Sequence, residues 1–465
     1  MKKFNPHFFQ SCRQTLDRSR KLFSLLCAGA LISLSISAPA SALTIKVTKT
    51  SDSADGACDS DCSLREAISL ANSTPGSHMI YLQAATYSLT LPAPAGEENT
   101  VLDEDENSNG DLDVRGDITI VGAYSDTVIR AYGTDRIFEV FENASLTLRW
   151  PSLRGGRHHQ DGGGIRNLGT LILKNVVMVD NKTSYGFSSG RGGAIANYGS
   201  LTSLNSQFFN NSVNIGDSNA SLGGAIYNEN TLFVRNSIFR SNFANSDDVV
   251  GRGGAIYNTG NADVGRSLFI DNRGDGYGSA IANMGAGTLT VSNSTFTQNR
   301  SNESYTEGTI TNFSDATLIH VTIAGNIRNY GIDNRGKILI RNSIIVNNLM
   351  DDNSEDFSNC INQGNNYQYK ARGLLIGDGF NNCSANIYFD DNLTSTELFY
   401  PLAKEGMGME IFALRPLSLA IDASVGSCSR HDQRRFMRPQ DGNADGVALC
   451  DLGAYEWQIP IPHDD

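Results

Sequence analysis

Apolar and polar residues alternate along the chain in bursts of three to five positions, as in Leu289-Thr290-Val291, with β-branched runs such as Ile338-Leu339-Ile340 between them. A period of two predicts short strands, and helical periodicity is missing from the whole central block. The bursts also recur. "GGAIYNENTLFVRNSIFRSN" (Gly223–Asn242) begins again at Gly253 as "GGAIYNTGNADVGRSLFIDN". Aligned on the isoleucine of the opening motif, the copies fall at Ile165, Ile195, Ile226, Ile256, Ile281, Ile310 and Ile332, each with an asparagine two residues on. A second asparagine series follows at Asn181, Asn211, Asn242, Asn272, Asn299, Asn326 and Asn348. Three residues before most of these stands a large apolar side chain, as at Phe208, Phe239, Phe269 and Phe296.

Fixed text with gaps of variable length means stacked structural units joined by loops. Three short strands in the shortest copy fit one coil of a parallel β-helix. Ile256 and Phe269 then point inward, each burial stabilising by about 1.5–3 kcal/mol. Asparagine suits the turns, because it tolerates left-handed backbone. Stacked at about 4.8 Å, its amides can bond from coil to coil. Seven copies argue for structure rather than catalysis.

One helical pattern stands outside the repeat. In "CSLREAISLAN" (Cys62–Asn72), Ser63 and Glu66 form a capping box, and Leu64, Ala67, Ile68 and Ala71 share one face. This predicts a short N-terminal helix plugging the first coil. Ahead of it, Lys2, Lys3, Arg13, Arg18, Arg20 and Lys21 precede an apolar stretch ending near Ile36 and an Ala40-Ser41-Ala42 cleavage site. Residues 1–42 therefore read as a secretory signal. The remainder divides into an N-terminal cap and first turns (43–111), β-helix repeats (112–350) and irregular C-terminal coils with a cap (351–465). No later segment could span a bilayer as a helix.

Export changes the reading of the cysteines. Past the leader stand Cys58, Cys62, Cys360, Cys383, Cys428 and Cys450, an even set in an oxidising compartment. Their order suggests local pairs, 58–62, 360–383 and 428–450, the last bracing the tail against the final coils. The net charge of −13 repels nucleic acid and anionic lipid rather than recruiting them.

Candidate chemistry is sparse. "DENSNGD" (Asp105–Asp111) and "DGNADG" (Asp441–Gly446) place oxygen side chains at alternate positions, as Ca²⁺ loops do. Asp441, Asn443 and Asp445 are the Ca²⁺ candidates, against an ordinary acidic turn, with no other cofactor implied. His158-His159 lacks a third ligand and reads as a solvated loop pair. The Arg-Gly-Asp tripeptides at Arg115–Asp117 and Arg273–Asp275 read as turn chemistry. The acidic pairs Asp247-Asp248, Asp351-Asp352 and Asp390-Asp391 sit in loop-like text, and Asp263 with Arg266 lacks an acidic partner on the next coil. No catalytic residue is assigned. Arg166, Tyr227 and Tyr257 are expected on an open face suited to an extended ligand.

"CSLREAI", the repeats and the ending "DQR…RP…CDLGAYE" together resemble exported bacterial proteins described as CSLREA-containing right-handed parallel β-helix proteins of the pectin-lyase-like fold. The C-terminal part is similar to their choice-of-anchor Q domain. The GGAI and F-x-x-N text resembles the repeats of polymorphic outer membrane proteins, which are surface adhesins. Arg435 departs from the pattern, standing where the family has glycine after DQR. The resemblance implies an all-β solenoid secreted or held at the cell surface or outer membrane. Its expected role is binding, adhesion or support, with a polysaccharide or cell-surface ligand. The alternative is a polysaccharide lyase or hydrolase of the same fold.

Overall fold

Among the described residues five coils have four sides and the others three. In the coil that opens at Gly223, strands Ile226–Asn228, Thr231–Arg235, Ile238–Arg240 and Phe243–Ser246 follow one another. The next coil repeats them in parallel and in register, Ile226 on Ile256, Leu232 on Ala262 and Phe239 on Phe269. Stacking the first sides makes an 11-stranded sheet, and the second and third make a 22-stranded sheet bent at a sharp corner. The short fourth sides form a 5-stranded sheet that the sequence pattern does not announce. The computed structural model describes residues 42–93, 104–133, 135–184, 189–215, 220–246, 251–301, 307–351, 356–363, 368–405 and 409–458. Residues 1–41 of the expected leader, Asp247-Asp248 and Asp352 lie outside them.

In-register stacking explains why the repeat is so literal. Identical residues meet at the strand spacing, so Phe208, Phe239, Phe269 and Phe296 stack nearly parallel with centroids 4.6, 4.7 and 4.5 Å apart. Such ring pairs add about 0.5–1.5 kcal/mol each beyond burial. Gly224 is needed where the backbones of successive coils close in, since a Cβ there would strike the carbonyl oxygen of Gly254.

Both asparagine series form the expected ladders. In the first, Asn197 donates to Asn228 at 2.7 Å and Asn228 to Asn258 at 2.7 Å. In the second, Asn211 donates to Asn242 and Asn242 to Asn272, at 3.0 and 2.9 Å. Each rung also caps a carbonyl, as Asn242 Nδ2 does for Phe208 at 2.9 Å. All are fully buried.

The ends are closed differently. Helix Leu64–Ser73 carries the predicted capping box and buries Leu64, Ala67, Ile68 and Ala71. It also buries Arg65, which the apolar pattern did not single out. Arg65 pairs with Asp52 at 2.9 Å and donates to the carbonyls of Asn109, Gly110 and Asp111. A guanidinium thus binds the backbone oxygens of the Asp105–Asp111 loop. At the other end Cys360 and Cys383 join the interior cluster and are bonded to each other. The 58–62 and 428–450 pairs are formed as well.

The tail does more than brace the last coils. It runs back along the outside of the bent sheet as a clasp, burying Ile344 and Val346 beneath Leu398, Leu414 and Leu452. Its polar contacts reach progressively earlier coils: Val425 to Asn342, Arg438 to His320, Ser429 to Asn293, Gln433 to Thr295, and Glu410 to Arg240. Arg438 is fully buried and donates to the carbonyls of Asp451 and Gly453 at 2.7 and 2.8 Å.

Candidate ligand-binding groove

The sharp corner of the bent sheet is turned by one residue per coil in left-handed backbone: Asn175, Asn205, Asn236, Arg266, Asn293, His320 and Asn342, with φ between 47° and 57°. Asparagine meets this demand at little cost. The last three are buried because the clasp lies over them. The clasp stops short of the earlier ones, which leaves Asn175 and Asn205 exposed and Asn236 and Arg266 half-buried. Between this uncovered corner and the clasp runs a groove of about 290 Å³. Asn175, Asn205, Asn236, Gln207 and Ile238 line the β-helix side, and Met409, Gln433 and Arg435 face them from the clasp.

The corner side chains are linked along the helix axis. Arg266 Nε donates to Asn236 Oδ1 at 3.0 Å, and Asn236 Nδ2 donates to Asn205 Oδ1 at 3.1 Å. Arg435 reaches the same Asn205 oxygen at 3.4 Å. Four rungs span about 15 Å at strand spacing. Gln433 is 3% exposed and spends its Oε1 on the hydroxyl of Thr295, but its Nε2 has no hydrogen-bond partner. A buried donor left unmade costs about 1–3 kcal/mol. Arg435, at φ 74°, holds a conformation that favours glycine. The nearby acids are engaged elsewhere, Asp263 with Arg235 and Glu410 with Arg240. Among the described residues no carboxylate pairs with Arg266 or Arg435. Burial and the neighbouring guanidiniums of Arg235 and Arg435 lower the pKa of Arg266.

The face expected to be open is not. Tyr227 and Tyr257 are only 6% and 8% exposed, stacked on each other and packed with Leu222 and Ala282. Arg166 is half-buried and paired with Glu139. Strand alternation placed all three outside the lumen correctly; the loops that then fold over that sheet bury them. His158 is likewise not solvated. It lies against the Arg136 guanidinium at 2.8 Å, and burial together with Arg136 holds its pKa well below the usual imidazole range.

The remaining candidates stay apart from the groove. Asp441 accepts the backbone N–H groups of Asp445 and Gly446, while Asn443 and Asp445 accept those of Asp445 and Val447. Their oxygens are engaged in closing the turn. Among the described residues no group of three or more His, Cys, Asp or Glu is placed to hold a metal. In the Arg-Gly-Asp tripeptides, Arg115 lies over the Phe141 ring and Asp275 is buried beside Arg273. Asp391 is buried and binds Asn347 and Asn359, a structural role.

One acid pair was missed by motif reading because its members lie on successive coils. Glu307 and Asp333 share Arg335, whose guanidinium also packs on Tyr277 and Phe313. Burial and Asp333 push the pKa of Glu307 up to about 8.

Fold and groove together define a parallel β-helix protein with an amide-lined outer corner and a C-terminal clasp. No family model matches the chain, and no curated protein matches it. Among solved structures the crystal structure of pectate lyase Pel9A is similar, at 15% identity over 90% of this chain and 97% of that chain, with a TM-score of 0.44.

Proposed function

We propose that this chain is an exported binding protein of the CSLREA type that holds an extended polysaccharide along the groove, at the cell surface or outside the cell. The observation that carries the reading is Gln433 Nε2, a buried donor with no partner in a wall facing a track of amides. Amide groups both donate and accept, as sugar hydroxyls do. Rungs at strand spacing present the same pair to successive residues of an extended chain. Among the described residues the lining consists of amides, one guanidinium and apolar side chains, groups that suit binding a sugar.

A panel of soluble neutral and acidic polysaccharides tests this by equilibrium binding to the exported protein and to the double variant Asn205→Gly/Asn236→Gly. Glycine keeps the left-handed turn and removes the amides. Loss of about tenfold or more in affinity is expected with melting unchanged. Absence of binding across the panel, or equal binding by the variant, overturns the reading. A second reading, polysaccharide lyase or hydrolase, rests on the Glu307–Asp333 pair. Product release from the same panel, abolished by Glu307→Gln, would favour it.

A further inference from the structure

One arginine in the groove wall, Arg435, and one at the next corner rung, Arg266, which donates to the groove's Asn236, stand where the local backbone asks for something else. The corner is turned by asparagine at Asn175, Asn205, Asn236 and Asn293, and Arg266 interrupts that series with the same left-handed φ of 50°. Arg435 stands opposite at φ 74°. A non-glycine residue held there costs on the order of 1 kcal/mol or more, and such positions cluster at functional sites. Neither arginine is spent on an ion pair among the described residues, and burial together with the guanidiniums of Arg235 and Arg435 disfavours the charged form of Arg266. Their hydrogen bonds go instead to the neutral amides of Asn236 and Asn205. Two guanidiniums with no salt-bridge partner among the described residues therefore flank the amide track of a chain whose net charge is −13, Asp263 acting on Arg266 only at longer range.

We infer that the groove takes a polysaccharide bearing an oxyanion substituent, carboxylate or sulfate, seated between Arg266 and Arg435 while its hydroxyls meet Asn205, Asn236 and Gln433. The inference rests on the binding reading above and narrows it to a ligand class. Guanidinium donates through a planar fork matched to such oxyanions, and a charge-assisted bond is roughly twice as strong as a neutral one. An anion also relieves the repulsion between the two cations. The acidic remainder of the surface does not forbid this. Charges beyond a Debye length, about 8 Å at physiological ionic strength, are largely screened, so the contacts inside the groove decide.

The test compares polygalacturonate, dextran sulfate and neutral dextran on the exported protein and on Arg266→Asn/Arg435→Gly. Both replacements suit the backbone: asparagine is the residue of the neighbouring rungs, and glycine removes the strain at φ 74°. The wild-type chain should bind at least one acidic polymer about tenfold or more tighter than neutral dextran, with affinity falling as salt rises. The variant should lose that preference and most of the salt dependence while melting no lower. Whichever acidic polymer binds more tightly identifies carboxylate or sulfate as the preferred group. Equal affinity for neutral and acidic polymers, or an arginine variant that keeps the preference, overturns the inference. In that case sensitivity to Asn205→Gly/Asn236→Gly still upholds polysaccharide binding. If none of the polymers binds, both fall.

Discussion

The two buried asparagine ladders and the outer corner ladder are built from the same residue at the same spacing, yet they do opposite things. Asn242 is enclosed: its oxygen accepts both the backbone N–H and the Nδ2 of Asn211, and its own Nδ2 serves Asn272 and Phe208. Every polar atom is used within the fold. Asn205 is exposed, and its oxygen meets Asn236 and Arg435 at 3.1 and 3.4 Å in a groove open to solvent. The enclosed ladder contributes stability, and the open one keeps hydrogen-bonding capacity for another molecule. Whether a repeated residue is structural or available depends on what covers it: the coils themselves enclose Asn242, and along the outer corner the clasp covers only the later rungs.

The comparison breaks most visibly by removing one rung of each kind. Asn242→Ala strands the two Asn211 donors in a dry interior and should cost about 3 kcal/mol. Asn205→Gly should change stability by no more than about 0.5 kcal/mol. Chemical denaturation of the two variants beside the parent chain measures both; similar losses would mean the corner is structural too.

Asp113 sharpens the contrast at the first strand of the 11-stranded sheet, where the stack has a neighbour on one side only. It is as buried as a ladder asparagine and accepts the Asn107 N–H at 2.6 Å, yet its Oδ1 has no partner. Burial, with Asp111 adding repulsion, pushes its pKa up to about 8. The folded chain therefore keeps a proton that the unfolded chain releases near pH 4. The stability contributed by this one proton is fully present below that pH and is lost as pH rises toward 8, by at most about 1.4 kcal/mol per unit. Unfolding free energies measured from pH 5 to 8 should show this slope in the parent and a shallower one in Asp113→Asn. An unchanged slope would place the titration elsewhere.

The smallest effect should have the opposite sign. Arg435→Gly releases the backbone at φ 74° and should raise stability by up to about 1 kcal/mol in a thermal melt. A fall in melting temperature would show that Arg435 holds the clasp down rather than waiting for a ligand.

The coils, both ladders, the capping box and the three disulfides were legible in the sequence because each is local or periodic. A parallel in-register stack repeats the same contact at every level, so the text repeats with it. Arg65 was not legible: its partners lie at Asp52 and Asn109–Asp111, and no periodicity links them to the helix. Tyr227 and Tyr257 were placed on the surface because alternation tells inside from outside the lumen, but not whether a loop lies over the outside. His158 was read as a solvated loop residue for want of a third ligand, and its partner Arg136 is not linked to it by any periodicity. Glu307 and Asp333 meet across successive coils at Arg335, a contact that motif reading along one stretch of chain does not reveal.

By itself, then, the sequence determined the solenoid, its register, its interior and its cross-links, since these follow from residue spacing and the pleat of a strand. Only the tertiary structure decided where that solenoid offers a site. The clasp folds back from the far end of the chain, covers Asn293, His320 and Asn342, and leaves Asn175, Asn205, Asn236 and Arg266 uncovered beside Gln433 and Arg435. Contacts between residues more than a hundred positions apart set that boundary, as Thr295 and Gln433 do, and nothing in local spacing encodes them.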